Sequence, residues 1–161
     1  MGQESSSHLE LEHLIGYSFR SRGFLDKVSS RDVLDGKRYE LLGDALIKFT
    51  LMDHLSRKYP DWNDFKISNK LDLLLNRDRS KEIVDNFHLK KFVNMEKSDK
   101  LILDSLIGVI YVDGGGEGGA GCKAVKKVIY KLWQLGDGAP ETKKYWNRSL
   151  FHAVKINREC F

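Results

Sequence analysis

The sequence predicts a predominantly helical chain, and three observations predict it. Apolar residues recur at the 3.6-residue period of a helix from Lys37 to Tyr59. Shorter stretches at 67–75, 80–87 and 123–133 also read as helices. No succession of alternating strand and helix units appears along the chain, which excludes a doubly wound dinucleotide fold.

The 161 residues suit one domain with a real core. An apolar fraction of 41% with 31% charged residues fits a soluble globular protein. No apolar run approaches the roughly 20 residues needed to span a bilayer, so no membrane partner is expected. The chain does not open on a secretory segment, and Cys122 and Cys160 are too few for a disulfide scaffold. An intracellular, reducing compartment is therefore expected, without resolving cytoplasm, nucleus or organelle. The net charge is +4, unevenly distributed: residues 120–161 hold nine basic against three acidic residues. A basic end is compatible with a phosphate backbone as partner, and equally with a solvated helix face.

In order, residues 1–8 are polar and Ser-rich and are expected to form a disordered tail. Leu9 onward reads as a short helix ending near Gly16, followed by an aromatic turn through Tyr17 and Phe19. The long helix from about Lys37 stops at Pro60, which cannot continue it. Tyr39, Leu41, Leu42, Ala45, Leu46, Phe49 and Met52 fall on one broad apolar face of that helix. Glu40 and Asp44 are four apart and project from one side about one turn apart, with Gly43 between them. A glycine there costs roughly 1 kcal/mol against Ala and points to close approach by another helix. Two readings stay open for the carboxylates: an ordinary solvated face in which Lys37 and Lys48 pair with them, or a site that gathers cations.

Leu101 to Val112 is almost continuously apolar, so it is a buried core element, helix or strand. Its lone carboxylate, Asp104, either faces solvent near a helix start or points inward and needs a partner or a cation, because a desolvated charge costs several kcal/mol. Gly114 to Gly121 reads as a flexible loop between helices. Gly116 to Gly121 formally matches G-x-G-x-x-G, but without the strand–helix context a dinucleotide site needs. Beyond it, Ala124, Val125, Val128, Ile129, Leu132 and Trp133 form one face of an amphipathic helix and four lysines the other. Residues 136–161 read as a basic C-terminal tail, leaving 9–135 as the folded domain.

Two stretches resemble the ribonuclease III family. Arg38-Tyr39-Glu40-Leu41-Leu42-Gly43-Asp44-Ala45-Leu46 resembles the family signature E-R-L-E-F-L-G-D-A/S-V/L. Leu106-Ile107-Gly108-Val109-Ile110-Tyr111-Val112-Asp113-Gly114-Gly115 is similar to the family's later L-I-G-A-I-Y-L-D-G-G run. The Leu14-Ile15-Gly16-Tyr17-Ser18-Phe19 segment and the 67–77 stretch extend the likeness, which covers roughly Leu9 to Leu135. It implies the all-α ribonuclease III endonuclease-domain fold, a homodimer with the signature helices at its interface, and Mg²⁺-dependent (or Mn²⁺-dependent) hydrolysis of double-stranded or structured RNA that leaves short 3′ overhangs. Carried over position by position, it makes Glu40, Asp44 and Asp104 the catalytic, metal-binding carboxylates. Hard Mg²⁺ prefers such oxygen ligands, and duplex RNA is read mainly by shape, phosphates and 2′-hydroxyls. The chain departs from the family pattern in five places, one being Phe65-Lys66 where the family often has a Gly-Glu pair. Leu101 stands where the family has an Asp, Asp104 is one methylene shorter than the family's Glu, Lys37 replaces a carboxylate or amide, and the usual T-H-x-S motif is missing before the signature. The alternative function is a catalytically inactive member of the fold that binds structured RNA or a partner subunit as a scaffold. What remains after Leu135 is too short for the double-stranded-RNA-binding domain that often follows in the family.

Overall fold

The computed structural model describes residues 2–21, 23, 33–93 and 96–136. Among these, every regular element is helical: α1 Gly2–Ile15, α2 Val33–Lys58, α3 Asp64–Leu75, α4 Arg77–Asn86, a 3-10 turn Leu89–Lys91, α5 Asp99–Asp113 and α6 Gly121–Leu132. The all-α prediction therefore holds, and the open choice for 101–112 is decided as a helix. Ser98 caps α5 by accepting a hydrogen bond from the Leu101 amide at 3.4 Å. Asn63 and Asn76 cap α3 and α4 in the same way, at 3.0 and 2.8 Å. Helix α1 begins at Gly2, inside the stretch that composition alone marked as a disordered tail, and ends as expected at Gly16, whose φ of +74° makes the left-handed stop. The C-terminal tail lies outside the described residues after Gly136.

Helix α5 is the centre of the fold. Ile102, Leu103, Leu106, Ile107, Val109 and Ile110 are all buried, as an element apolar all round must be. Helix α2 packs along one side of it, α4 and α6 along others, with α3 against α2 and α1 against α6. The α2–α5 crossing is unusually close because each helix presents a glycine to the other's backbone. A Cβ at Gly43 would lie 1.8 Å from the Asp104 carbonyl oxygen, and one at Gly108 would lie 2.1 Å from that of Tyr39. The close approach inferred from Gly43 is thus present, with Gly108 as its reciprocal partner.

Helix α2 corrects one expectation. Its core side is Gly43, Ile47, Leu51 and Leu55, together with the buried Thr50 and His54. Of the seven residues expected on one apolar face, Leu41 and Phe49 are 74% and 72% exposed, and Ala45 and Met52 are exposed with them. The helix is apolar on two sides. Only one of them meets α5, and a periodicity argument merged the two.

The glycine run forms the expected loop between α5 and α6, and hydrogen bonds close it. Gly115 and Gly116 adopt φ of +88° and +63°, and the Gly116 and Ala120 amides donate at 2.9 Å to the carbonyls of Tyr111 and Gly114. A Cβ at Gly121 would lie 2.4 Å from the Tyr111 carbonyl oxygen, so these glycines make a tight turn from α5 into α6. The same end of α5 anchors the N-terminal segment. Buried Asp113 accepts from the Tyr17 hydroxyl at 2.6 Å and from the Arg20 and Ser21 amides at 2.8 and 3.0 Å.

Candidate active site

The α2–α5 crossing determines what the three sequence-predicted carboxylates can do. Glu40 and Asp44 lie one turn apart on α2, on either side of Gly43 in sequence, and Asp104 sits on α5 at the residue whose backbone Gly43 touches. The crossing brings Asp44 and Asp104 close enough to share one cation: the Lys100 ammonium donates to Asp44 Oδ1 and to Asp104 Oδ2, both at 2.6 Å. Asp104 points inward, with its side chain 5% exposed, which answers the question its sequence position left open.

Each carboxylate has an ammonium partner. Lys48 donates to Asp44 Oδ2 at 2.8 Å, the i,i+4 pair expected from the sequence. Glu40 is held by Lys97, whose Nζ lies 2.8 Å from Oε1 and also donates to Ser105 Oγ at 3.1 Å. The Ser105 hydroxyl in turn donates to Glu40 Oε1 at 3.4 Å. Lys97, reaching in from before α5, takes the role that the sequence offered to Lys37. Three carboxylates therefore meet three ammoniums, and the local charge is balanced.

Titration behaviour follows from these contacts. Burial pushes the Asp104 carboxyl above the usual range, and the Lys100 bond only partly offsets it. Burial also acts on Asp44, but the hydrogen bonds from Lys100 and Lys48 outweigh it and hold this carboxyl low. Lys100 feels burial in the opposite direction, yet its bonds to Asp104 and Asp44 raise it, so it remains charged.

The donor chemistry suits a hard divalent cation: carboxylate oxygens are the ligands Mg²⁺ and Mn²⁺ prefer, and a cation already sits between Asp44 and Asp104 in the form of an ammonium. The cage is not assembled, however. Among the described residues no three acidic, histidine or cysteine side chains are grouped so as to hold a metal, since Glu40 turns to Lys97 and Ser105. Leu101 lies one turn before Asp104, 37% exposed, and adds no ligand. Lys97 and Lys100 were absent from the sequence prediction. Lys100 is four residues before Asp104 and was legible as an i−4 partner, whereas Lys97 precedes the helix and is brought in only by the fold.

Comparisons with known proteins single out the same region of the chain. The family model for the ribonuclease III domain matches residues 37–115. Ribonuclease 3 of Agrobacterium fabrum is 28% identical over 142 residues, covering 77% of this chain and 57% of that protein. Ribonuclease 3 of Listeria monocytogenes serovar 1/2a is 23% identical over 128 residues, covering 66% of this chain and 56% of that protein. The chain thus spans little more than half the length of these relatives. The nuclease domain of ribonuclease III from Campylobacter jejuni superposes with a TM-score of 0.66 at 23% identity, covering 78% of this chain and 94% of that one. That structure is described for flexibility in a region involved in dimer formation. A second structure of the same nuclease domain gives a TM-score of 0.65. Signature helix, glycine crossing and carboxylate positions fall within the matched region, so residues 37–115 are identified as a ribonuclease III-type domain.

Proposed function

We propose that the chain is a ribonuclease III-type endoribonuclease acting on double-stranded or structured RNA in RNA processing, with activity weakened by the lysines at its centre. The observation that carries this reading is the shared cation between Asp44 and Asp104 at the glycine crossing. Asp44 and Asp104, with Glu40 beside them, are the residues that would hold Mg²⁺ or Mn²⁺. When bound, such an ion activates the attacking water and neutralises charge on the scissile phosphate and its leaving oxygen. The chain's own contribution is to fix the two aspartates across a crossing too close to flex. Asp104, one methylene shorter than the family's Glu, is backed by a buried position that limits its reach, and a displacement of about 1 Å can slow a reaction 100-fold.

The exposed apolar stripe of α2 supports a homodimer. Leu41, Ala45, Phe49 and Met52 recur at helical spacing on the side turned away from α5. We take this face as the subunit interface, in line with the place the family resemblance gives to the signature helix. The proposed domain is 9–135, with 136–161 as a basic tail and 1–8 as an N-terminal extension, and no described helix is long and apolar enough to cross a membrane.

A second reading has its own observation. Leu101 at a family carboxylate position, and three carboxylates each bonded to a lysine, favour a scaffold that holds structured RNA or a partner without cutting it. Incubation with long double-stranded RNA in Mg²⁺ and in EDTA separates the two. Mg²⁺-dependent cutting abolished by Glu40→Ala and by Asp44→Ala supports the enzyme. Binding without cutting, indifferent to Mg²⁺, supports the scaffold.

A further inference from the structure

We propose that Lys100 is a built-in competitor for the cation position between Asp44 and Asp104, so that the chain holds its carboxylate centre closed until a divalent ion displaces one side chain. The inference rests on the metal-binding reading above and goes beyond it by assigning a role to a residue outside the carboxylate set.

The geometry separates the three lysines. Lys100 alone of the three bonds a carboxylate on each of the two helices, with Nζ 2.6 Å from Asp44 Oδ1 and from Asp104 Oδ2. Asp44 and Asp104, which would hold a divalent ion, are the carboxylates that the ammonium already occupies. The ammonium and the ion therefore exclude one another. Lys97 is pinned: its side chain is 17% exposed and is bonded to both Glu40 and Ser105. Lys48 touches only Asp44 and is 53% exposed, which makes it a weak surface partner. Lys100 lies between these cases, 43% exposed on a long flexible stem, so it can leave toward solvent without unpacking α5. With the three ammoniums in place, three carboxylates carry no net charge and attract a dication weakly. Withdrawing Lys100 restores one unit of negative charge at the two oxygens that matter, so the Lys100 side chain sets the metal concentration at which the centre fills.

Mn²⁺ binding followed by the paramagnetic resonance of the free ion tests this, with no dependence on catalysis. Lys100→Gln is expected to bind Mn²⁺ about tenfold tighter than wild type or better. Lys100→Arg, which keeps the charge, is expected to bind as weakly as wild type, and adding Asp44→Asn to Lys100→Gln is expected to remove the gain. Far-ultraviolet circular dichroism establishes that each variant is folded. Equal affinity of wild type and folded Lys100→Gln would overturn the competition while leaving the metal site standing. Failure of every folded variant to bind Mn²⁺ would overturn the metal-binding reading, and the competition with it.

Discussion

Replacing Gly43 or Gly108 by alanine sets two effects against one another, and the structure determines which wins. In an isolated helix, Gly→Ala is favourable by about 1 kcal/mol. Here the new Cβ at Gly43 would lie 1.8 Å from the Asp104 carbonyl oxygen and 2.6 Å from its carbonyl carbon; at Gly108 it would lie 2.1 Å from the Tyr39 oxygen. Ordinary contact begins at 3.4 Å, and the obstructing atoms are backbone, so no side chain can swing aside. The helices must part by about 1.5 Å, loosening the buried seam on both sides; overpacking of this kind costs about 3 kcal/mol, the upper end of its usual range. The net expectation is a loss of about 2 kcal/mol for each variant. In a domain of this size that lowers Tm by roughly 6–12 °C. Gly118→Ala serves as the control, since a Cβ there meets nothing within 4 Å. It is expected to stay within about 0.5 kcal/mol of wild type. The double variant Gly43→Ala/Gly108→Ala should lose less than the sum, because helices already parted by one methyl accommodate the second. Urea denaturation of the four variants against wild type measures all of this. Stabilisation by Gly43→Ala and Gly108→Ala would refute the close crossing and, with it, the mechanism that brings Asp44 to Asp104.

Four further outcomes are expected. Lys100→Gln removes the bond shared by Asp44 and Asp104, so both carboxyls should titrate at higher pH than in wild type, read by carboxyl carbon chemical shifts; unchanged titration would show the bridge to be absent in solution. Asp44, held below its ordinary value of 3.8, contributes stability that is present above that pH and lost as pH falls through the lower folded value. Asp104 runs the opposite way, its charged form costing stability as pH rises from 3.8 through its raised folded value, so Asp104→Asn should flatten the second slope and Asp44→Asn the first in pH-dependent urea midpoints. Asp113→Ala leaves the Tyr17 hydroxyl and two amides without their acceptor and should cost about 1–3 kcal/mol, with faster hydrogen exchange at Arg20 and Ser21. Phe49→Glu and Leu41→Glu place charge on the exposed stripe of α2 and should yield monomers of nearly unchanged stability in analytical ultracentrifugation, whereas dimers of wild-type affinity would move the interface elsewhere.

The helices were legible because their signals are local. Period, Pro60 and Gly16 mark the end of α1 and both ends of α2 to α4 within a few residues, whereas α1 begins at Gly2, well before Leu9; Gly43 announces the crossing by its unfavourable place inside a helix. What sequence could not resolve depends on the fold. The periodicity of α2 does not say which of two apolar sides faces α5, so Leu41 and Phe49 were grouped with residues they do not accompany. The glycine run is legible as a loop between helices, but composition carries no information on the hydrogen bonds that close it. Glu40, Asp44 and Asp104 were identified as a set, and the crossing does bring Asp44 and Asp104 to one cation. Lys97 went unnoticed because it lies 57 residues from Glu40 and meets it only through tertiary packing.

Single-turnover cleavage of an end-labelled RNA duplex across a range of Mg²⁺ concentrations tests the central claim most directly. The account predicts that wild type cuts only at high Mg²⁺, that Lys100→Gln cuts at lower Mg²⁺, and that Asp44→Asn does not cut. Intact duplex with folded wild type and folded Lys100→Gln at every Mg²⁺ concentration would contradict it and leave the domain as a scaffold.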